Sequence, residues 1–289
     1  MIDKTDYTPT MKWAIVGSRG MLGSETLAYL STRGETVQGF HRGNLSLASK
    51  TSEIANKLSD FDIVVNCIAF TAVDQAESQA DEAYQANVSI PARLAHELAA
   101  LNTRLIHVST DYVFDGLSPS PYLPGSEKNP QSVYGVTKSL GEDYVLAEDN
   151  TQVVRTAWLY GAAGNCFPKT IVKKLLAGQK LNVVDDQFGT PTYSGDLAEF
   201  IFNMGTGSLD ARILHGVSSG DTTWFNFARE IAKSLGLDEG LVHPIGTERY
   251  PTPAKRPTNS ILTPSAIGPY SIPHWRTAWQ RASNLFFSN

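Results

Sequence analysis

The chain contains few of the residues that build disulfide frameworks, metal centres or membrane spans. Its two cysteines, Cys67 and Cys166, lie in unrelated segments, and the apolar run around Cys67 predicts a reduced core residue. The six histidines form no metal-ligand cluster with these cysteines, and we expect His107, which lies in a strand pattern, to serve packing. No apolar stretch reaches the roughly 18 residues that a bilayer span requires. We therefore expect no metal site and no membrane association.

Positive charge is also scarce. Lys and Arg total 24 against 29 Asp and Glu, so the net charge is −5. Nucleic-acid-binding domains carry a basic footprint, and we expect no nucleic-acid partner. An anionic small-molecule substrate is still allowed, because a local arginine cluster would suffice to bind it. Residues 1–10 are polar and lack a signal-peptide core, so we expect a loose tail there and a cytoplasmic protein, with a homodimer as a possible assembly.

Predicted strands and helices alternate through the first half of the chain. Strands are predicted at 12–17, 36–40, 62–68, 104–109 and 152–156, and helices near 21–33, 51–58, 80–101 and 131–148. This order predicts an α/β fold with a Rossmann-type, doubly wound parallel sheet, whose ligands bind outside the carboxyl ends of the strands. Pro and Gly interrupt the pattern after about residue 157. We expect an NAD(P)-binding domain at 11–160 and a smaller, mainly helical substrate-binding region at 161–289, with some elements returning to the sheet.

A glycine-rich turn follows the first predicted strand and opens the first helix. Its spacing is Gly-x-x-Gly-x-x-Gly, the variant common in short-chain dehydrogenases. The first glycine permits a tight turn, the second lets the pyrophosphate approach the backbone, and the third allows close helix packing. Free N–H groups at the helix N-terminus then face the phosphates. An ordinary strand–helix turn is the alternative, but the order of strand, glycines and helix favours dinucleotide binding. The residues expected to bind it here are Gly17, Arg19, Gly20, Met21, Leu22 and Gly23.

The end of the second predicted strand bears on which dinucleotide is bound. NAD sites often place an acid there for the ribose 2′-hydroxyl, whereas this chain has His41 and Arg42, with Arg19 in the glycine turn. Cations without a carboxylate suit a 2′-phosphate, so NADPH is favoured as the cofactor. A basic surface loop would have the same sequence, and use of NADH as well stays open.

A tyrosine and a lysine four residues apart supply a candidate proton donor. Tyr134 and Lys138 fall on one face of the helix predicted at 131–148, one turn from each other. The ammonium there could lower the pKa of the phenol, and the hydroxyl of Thr110 could hold the same substrate oxygen. Most isolated pairs of this kind are solvated helix residues. The surrounding dinucleotide-binding pattern instead favours the Thr–Tyr–Lys arrangement of short-chain dehydrogenases, which exchange a hydride and a proton with an alcohol or a ketone.

Five segments of the chain resemble the motifs of one family. They are NCIAFTAVDQAE at 66–77, STDYVFDG at 109–116, RTAWLYG at 155–161, DQFGTPT at 186–192 and RPTNS at 256–260. Together they resemble the dTDP-4-dehydrorhamnose reductases, a family of extended short-chain dehydrogenases, over residues 12 to about 263. The resemblance implies reduction of the C4 ketone of dTDP-4-dehydro-L-rhamnose to dTDP-L-rhamnose.

The same resemblance implies roles for individual residues. Thr110 would hydrogen-bond the C4 carbonyl oxygen, Tyr134 would protonate it, and Lys138 would bind the nicotinamide ribose. The residues implied to line that ribose are Ile68, Ala69 and Thr71, and those implied to shape the sugar pocket are Val73, Asp111, Tyr112 and Trp158. Arg256 would clamp the diphosphate, since a guanidinium forks onto phosphate oxygens, and Asn259 would orient that clamp. The alternatives are a core role for Trp158, a surface charge at Arg256 and a local cap at Asn259.

One departure from the family's pattern concerns the adenine. The family often has Leu-Asp-Ile/Leu where this chain has Leu45-Ser46-Leu47. Ser46 and Leu47 are still expected at the cofactor, but a serine accepts from the adenine amino group only weakly, which predicts lower adenine affinity.

Other functions share this fold. A 4,6-dehydratase places Asp-Glu after the threonine, where this chain has Asp111 followed by Tyr112, and an epimerase is similarly disfavoured. A reductase of another dTDP-4-keto-6-deoxyhexose would use the same residues with a different stereochemical outcome. A non-catalytic, NADP-binding regulatory subunit is a further alternative, against which the intact Thr110, Tyr134 and Lys138 argue.

Overall fold

The computed structural model describes residues 11–45, 51–207 and 211–287. Its strands are β1 (Lys12–Val16), β2 (Thr36–Phe40), β3 (Ile63–Asn66), β4 (Arg104–Thr110), β5 (Thr151–Thr156), β6 (Leu159–Tyr160), β7 (Leu181–Val184), β8 (Phe188–Gly189), β9 (Thr192–Tyr193), β10 (Ile213–His215), β11 (Thr222–Thr223) and β12 (Val242–Ile245). Its α-helices are α1 (Met21–Thr32), α2 (Thr51–Leu58), α3 (Val73–Ala76), α4 (Ala80–Tyr84), α5 (Ile90–Ala99), α6 (Val133–Leu146), α7 (Phe167–Leu176), α8 (Ser194–Thr206), α9 (Trp224–Ser234), α10 (Trp275–Ala282) and α11 (Asn284–Phe287).

A parallel sheet of six strands forms the centre of the fold, in the order β2-β1-β3-β4-β5-β10. Helices α1 and α8 pack their apolar side chains on one face, and α2, α5 and α6 pack on the other. Because both faces are covered, β3 and β5 are buried along their whole length, as strands of a parallel sheet usually are. The predicted Rossmann-type, doubly wound α/β fold is confirmed.

The second half of the chain contributes both to this sheet and to a separate core. Strand β10 pairs with β5, and α8 packs beside α1. Helices α7, α9, α10 and α11 enclose a second apolar cluster around Trp275 and Trp279. The short two-stranded pairs β7–β12, β8–β11 and β6–β9 connect these helices. The domain bounds expected at 160 and 161 stay a prediction, and the expected tail at 1–10 lies outside the described residues.

The prediction of one continuous helix at 80–101 is wrong. It is divided into α4, a π-helical turn at Gln85–Ser89 and α5. Pro91 lies in the first turn of α5 and has no N–H, so it cannot donate to the Asn87 carbonyl one turn earlier. Helix α6 comes so close to that carbonyl that a Cβ at Gly141 would overlap its oxygen. The π-turn therefore places Asn87 between two elements, as such bulges often do near functional sites.

The three other predicted helices, at 21–33, 51–58 and 131–148, begin and end within two residues of their predicted bounds. Across the described ranges, no helix combines the length and the apolarity that crossing a bilayer takes. In the same ranges, His, Cys, Asp and Glu side chains form no group of three that could hold a metal ion.

Candidate active site

The predicted site residues gather at the carboxyl edge of the central sheet. The glycine turn follows β1, His41 follows β2, Ile68 lies just beyond β3 and Thr110 ends β4. Parallel strands present their carboxyl ends at one edge, so these segments of distant sequence become neighbours.

The glycine turn is shaped as a dinucleotide site requires. Gly17 has φ +90°, and a Cβ there would lie 3.0 Å from the backbone nitrogen of Ile68. A Cβ at Gly23 would overlap the Gly17 carbonyl, so α1 packs tightly under the turn. Gly20 is the N-cap of α1 and supplies no side-chain hydrogen bond to the first turn of that helix. The N–H groups at this N-terminus are therefore suited to donate hydrogen bonds to a phosphate.

Arg19 and Arg42 are exposed beside this turn. His41 is half-buried, and its Nδ1 accepts a hydrogen bond of 3.0 Å from the Gly43 N–H, which fixes the ring within the turn that follows β2. Ser46 and Leu47, expected near the adenine, lie outside the described residues.

Asn87 fixes the segment that follows β3. Its Oδ1 accepts from Phe70 N at 2.8 Å, and its Nδ2 donates to Phe70 O at 3.3 Å and to Thr137 Oγ1 at 3.0 Å. The segment containing Ile68, Ala69 and Thr71 is thereby tied to α6. Sequence reasoning missed Asn87, because no local pattern distinguishes it from other polar residues of a helix.

Helix α6 brings Tyr134 to Thr110. The hydroxyl of Ser132 caps the helix by accepting from Gly135 N at 3.1 Å. A Cβ at position 135 would overlap the Tyr112 carbonyl oxygen, so only glycine allows α6 to start this close to the end of β4. Thr110 Oγ1 donates to Asp111 Oδ1 at 2.9 Å and accepts from Tyr112 N at 3.2 Å.

The electrostatics of Tyr134 differ from the expectation. Burial raises the pKa of Tyr134 to about 12, a hydrogen bond with Thr110 opposes this rise, and the charge of Asp111 adds to it. Lys138 Nζ instead donates to Val108 O at 2.6 Å and lies 3.3 Å from His107 Nε2. The prediction that the ammonium lowers the pKa of this phenol is therefore wrong for this structure, because burial outweighs the other influences on Tyr134.

His107 was expected to serve packing only, and this expectation is incomplete. The residue is fully buried, but its Nδ1 lies 3.0 Å from Asn66 Nδ2 and its Nε2 faces Lys138. Burial lowers the pKa of His107 well below its usual value, and the charge of Lys138 lowers it further, so the ring is neutral. The register that pairs Asn66 with His107 across β3 and β4 is the feature that sequence reasoning missed.

Arg256 forms an ion pair that the sequence analysis did not predict. Its Nη2 donates to Asp74 Oδ2 at 2.7 Å, and its Nη1 donates to Ala254 O at 3.3 Å. Asp74 Oδ1 also accepts from Ala254 N at 3.2 Å. The guanidinium is thus oriented by a carboxylate next to Val73, and it keeps further N–H donors for an anion.

Asn259 and Trp158 occupy defined places in the loops. The Asn259 amide donates to Ser118 O at 2.8 Å and its oxygen accepts from Ile261 N at 3.1 Å, which favours the local structural role. Trp158 is half-buried rather than core, has φ +45° and stacks on Trp224 with ring centroids 3.5 Å apart. No sequence signal pointed to Trp224, whose stacking partner is distant in the chain.

Two further residues lie beside the Thr110–Tyr134 pair. The ring of Tyr112 meets that of Tyr134 edge-on, with centroids 5.5 Å apart. Burial raises the pKa of Tyr112, and the positive charge of Arg256 opposes this rise. Burial also raises the pKa of Asp111 to about 6, and the hydrogen bond from Thr110 opposes this rise.

The sheet, the glycine turn and the Thr–Tyr–Lys group define an oxidoreductase of the short-chain dehydrogenase type. A family model described as "RmlD substrate binding domain" matches residues 11–286. The chain therefore belongs to this family.

Relatives and solved structures agree with the family. A dTDP-4-dehydrorhamnose reductase of Streptomyces griseus is 38% identical over 282 residues, covering 93% of this chain and 92% of that protein. A probable dTDP-4,6-dihydroxy-2-methyloxan-3-one 4-ketoreductase of Streptomyces antibioticus is 37% identical, covering 94% of each chain. The crystal structure of a dTDP-4-dehydrorhamnose reductase of Bacillus anthracis in complex with NADP has a TM-score of 0.89 and 30% identity, covering 95% of this chain and 99% of that one.

Proposed function

We propose that this protein uses NADPH to reduce the C4 ketone of dTDP-4-dehydro-L-rhamnose to dTDP-L-rhamnose. The observation that carries the proposal is the placement of Thr110, Tyr134 and Lys138 beside the glycine turn, on elements held together by Asn87 and Gly135. The names of the S. griseus and B. anthracis relatives support the choice of substrate.

The residues around the glycine turn fit a phosphorylated dinucleotide. Gly17, Gly20, Met21, Leu22 and Gly23 would hold the pyrophosphate at the N-terminus of α1, and the exposed Arg19 and Arg42 would face a 2′-phosphate. Lys138, Ile68, Ala69 and Thr71 would line the nicotinamide ribose. NADPH bound in this way supplies the hydride.

Tyr134 is the proton donor of the proposal. Since burial raises its pKa to about 12, the phenol is fully protonated at neutral pH and transfers its proton only when negative charge develops on the C4 oxygen. Thr110 would hold that oxygen by turning its hydroxyl hydrogen away from Asp111 Oδ1, to which it now donates. The buried position of both hydroxyls strengthens these hydrogen bonds by excluding water.

The sugar nucleotide would lie on the other side of Tyr112. Val73, Asp111, Tyr112 and Trp158 would surround the sugar, and Arg256 would bind the diphosphate with the N–H groups that Asp74 and Ala254 leave unused. Asn259 would support the loop of Arg256. A homodimer and a cytoplasmic location complete the proposal.

A second candidate is a reductase of another dTDP-4-keto-6-deoxyhexose. The relative from S. antibioticus bears a different reductase name at 37% identity, almost as similar as the rhamnose reductases. A dTDP-4-keto-6-deoxy-D-glucose reductase of Streptomyces niveus is 35% identical over 96% of this chain.

The test follows loss of NADPH absorbance with two sugars. One reaction contains dTDP-4-keto-L-rhamnose generated in place, and the matched reaction omits the epimerase, so that dTDP-4-keto-6-deoxy-D-glucose remains. Oxidation only with the epimerised sugar is the expected result, and parallel reactions with NADH measure cofactor preference. Oxidation with the unepimerised sugar would favour the second candidate, whereas NADPH binding without oxidation of either sugar would favour a regulatory subunit.

A further inference from the structure

Lys138 is a buried lysine without an ion pair. Its side chain is 1% exposed, and within the described ranges no carboxylate lies within 4.0 Å of its Nζ. Glu142, one turn further along α6, is engaged by Arg155 at 2.8 Å and by Lys128 at 3.5 Å. Burying an ammonium without a counter-ion is costly, and such groups tend to lose their proton.

The hydrogen bonds of Asn66 determine which nitrogen of His107 carries the proton. The backbone N–H of Ile68 donates to Asn66 Oδ1 at 3.0 Å, so the amide oxygen cannot also point at the ring. Asn66 Nδ2 therefore donates to His107 Nδ1, 3.0 Å away. A neutral imidazole carries one proton, so with Nδ1 as the acceptor that proton is on Nε2.

The Nε2–H group of His107 then points at Lys138. The two nitrogens are 3.3 Å apart, and Lys138 Nζ also donates to Val108 O at 2.6 Å. An ammonium has only hydrogens to offer and would oppose the Nε2–H, whereas a neutral amine accepts from it with its lone pair. Of the two protonation states, only the amine satisfies both contacts.

We propose that Asn66 and His107 are positioning residues that stabilise the neutral amine of Lys138 in the cofactor-free protein, and that binding of the anionic dinucleotide favours the ammonium, whose additional proton comes from solvent. The second half rests on the proposed function, because it requires the ribose hydroxyls to meet Lys138. The first half depends only on the hydrogen-bond chain.

The groups around Nζ agree with this assignment. His107 faces it from β4, Cys67 from the end of β3, and Glu142 from α6 itself. Burial lowers the pKa of Lys138 to about 8, and Glu142 and Cys67 only partly oppose this, so the amine gains population above neutral pH and predominates at pH 9. The Cys67 thiol stays protonated, because burial raises its pKa to about 12.

The first experiment reads the tautomer of His107 by nitrogen-15 NMR on protein labelled at histidine, with His107→Leu identifying the resonance. A pyrrole-like Nε2 and a pyridine-like Nδ1 are expected in the cofactor-free protein at pH 9, where the amine of Lys138 predominates. The variant Asn66→Asp has nearly the same shape, but its carboxylate accepts from both Ile68 N–H and the ring. It should move the proton to Nδ1. A proton on Nδ1 in the unsubstituted protein at pH 9 would overturn the proposal.

The second experiment measures NADPH affinity between pH 7 and pH 9. Since one pH unit above a pKa leaves about a tenth of the group protonated, affinity should fall about tenfold over this range. Asn66→Asp should flatten this dependence, because Nε2 then accepts from the ammonium. Asn203→Asp, whose side chain bonds Glu199 O on α8, is the matched control and should retain the wild-type dependence.

The outcomes separate the two proposals. Binding that is independent of pH, together with an Nε2 proton, would overturn the proton uptake. No NADPH binding at any pH would overturn the proposed cofactor. The NMR result would still decide whether the hydrogen bonds run from Asn66 through His107 to Lys138 as proposed.

Discussion

Lys138 and Arg256, the two cations proposed to bind the ligands, lie in opposite environments. In the Lys138 region, formed by β3, β4 and α6, the charge is buried and meets a histidine and a carbonyl. In the Arg256 region, formed by residues 247–260, the side chain is 19% exposed and paired with Asp74. A lysine can lose its proton when desolvated, whereas an arginine cannot. We therefore expect the charge of Lys138 to change with pH, whereas Arg256 keeps its charge and can always bind an anion.

Tyr134→Phe should have the largest effect, because it removes the proton donor of the Lys138 region. Turnover is expected to fall by about 10²- to 10⁴-fold, which is the usual contribution of a general acid, with NADPH affinity changed less than about threefold. Stopped-flow turnover and cofactor titration measure the two quantities. Tyr144→Phe, at an exposed position of the same helix, is the control. Undiminished turnover in Tyr134→Phe would remove this residue as the acid.

Glu142→Gln should show that the Lys138 region depends on a buried ion pair. The substitution leaves Arg155, bonded to Glu142 at 2.9 and 2.8 Å, without its carboxylate. Unfolding by urea should report a loss of about 3–5 kcal/mol. Glu148→Gln, in an exposed pair with His96, should cost no more than about 1 kcal/mol. Similar losses in both variants would mean that burial does not distinguish the two pairs.

Asp111→Asn should reveal a pH-dependent contribution to stability, since Asp111 is a buried carboxyl that accepts a hydrogen bond from Thr110. Its native pKa of about 6 exceeds the unfolded value of 3.8, so the native state binds the extra proton between these values. Wild-type stability from this group is complete below about pH 4 and is lost as the pH rises through 6. Relative to wild type, the variant should therefore gain as much as about 3 kcal/mol between pH 4 and 6.

Unfolding curves across this pH range provide the measurement. Asp115→Asn is the control with the opposite sign, because a hydrogen bond from the Tyr122 hydroxyl lowers the pKa of Asp115. A difference between Asp111→Asn and wild type that stays constant with pH would contradict the raised pKa.

Arg256→Met should have the smallest effect of the four and should be confined to the substrate. Loss of hydrogen bonds to a charged diphosphate is expected to raise KM for the sugar nucleotide by about 10- to 100-fold, with kcat and NADPH affinity nearly unchanged. Arg229→Met, which breaks an exposed pair with Glu239, controls for loss of a surface charge. A changed NADPH affinity would instead place Arg256 at the cofactor.

Local patterns predicted much of the fold and only part of the site. The strand at 36–40 and the helix at 51–58 match their predicted bounds, because period and turn residues act over a few neighbours. The break at Asn87 was missed because its cause combines Pro91 with the approach of α6, and a three-residue strand such as β10 has too few residues to show a period. Trp158 was predicted at the site, but its partner Trp224 was not.

The sequence by itself determined the glycine spacing of the dinucleotide turn and the one-turn separation of Tyr134 from Lys138, because both depend on the geometry of a single helix and its cap. Only the tertiary structure decided which groups face the two cations. Asn66 reaches His107 across 41 residues, and Asp74 reaches Arg256 across 182. The register of a parallel sheet and the return of a distant loop create these contacts, and with them the charge state of Lys138 and the orientation of Arg256. No local sequence pattern predicts either of these two contacts.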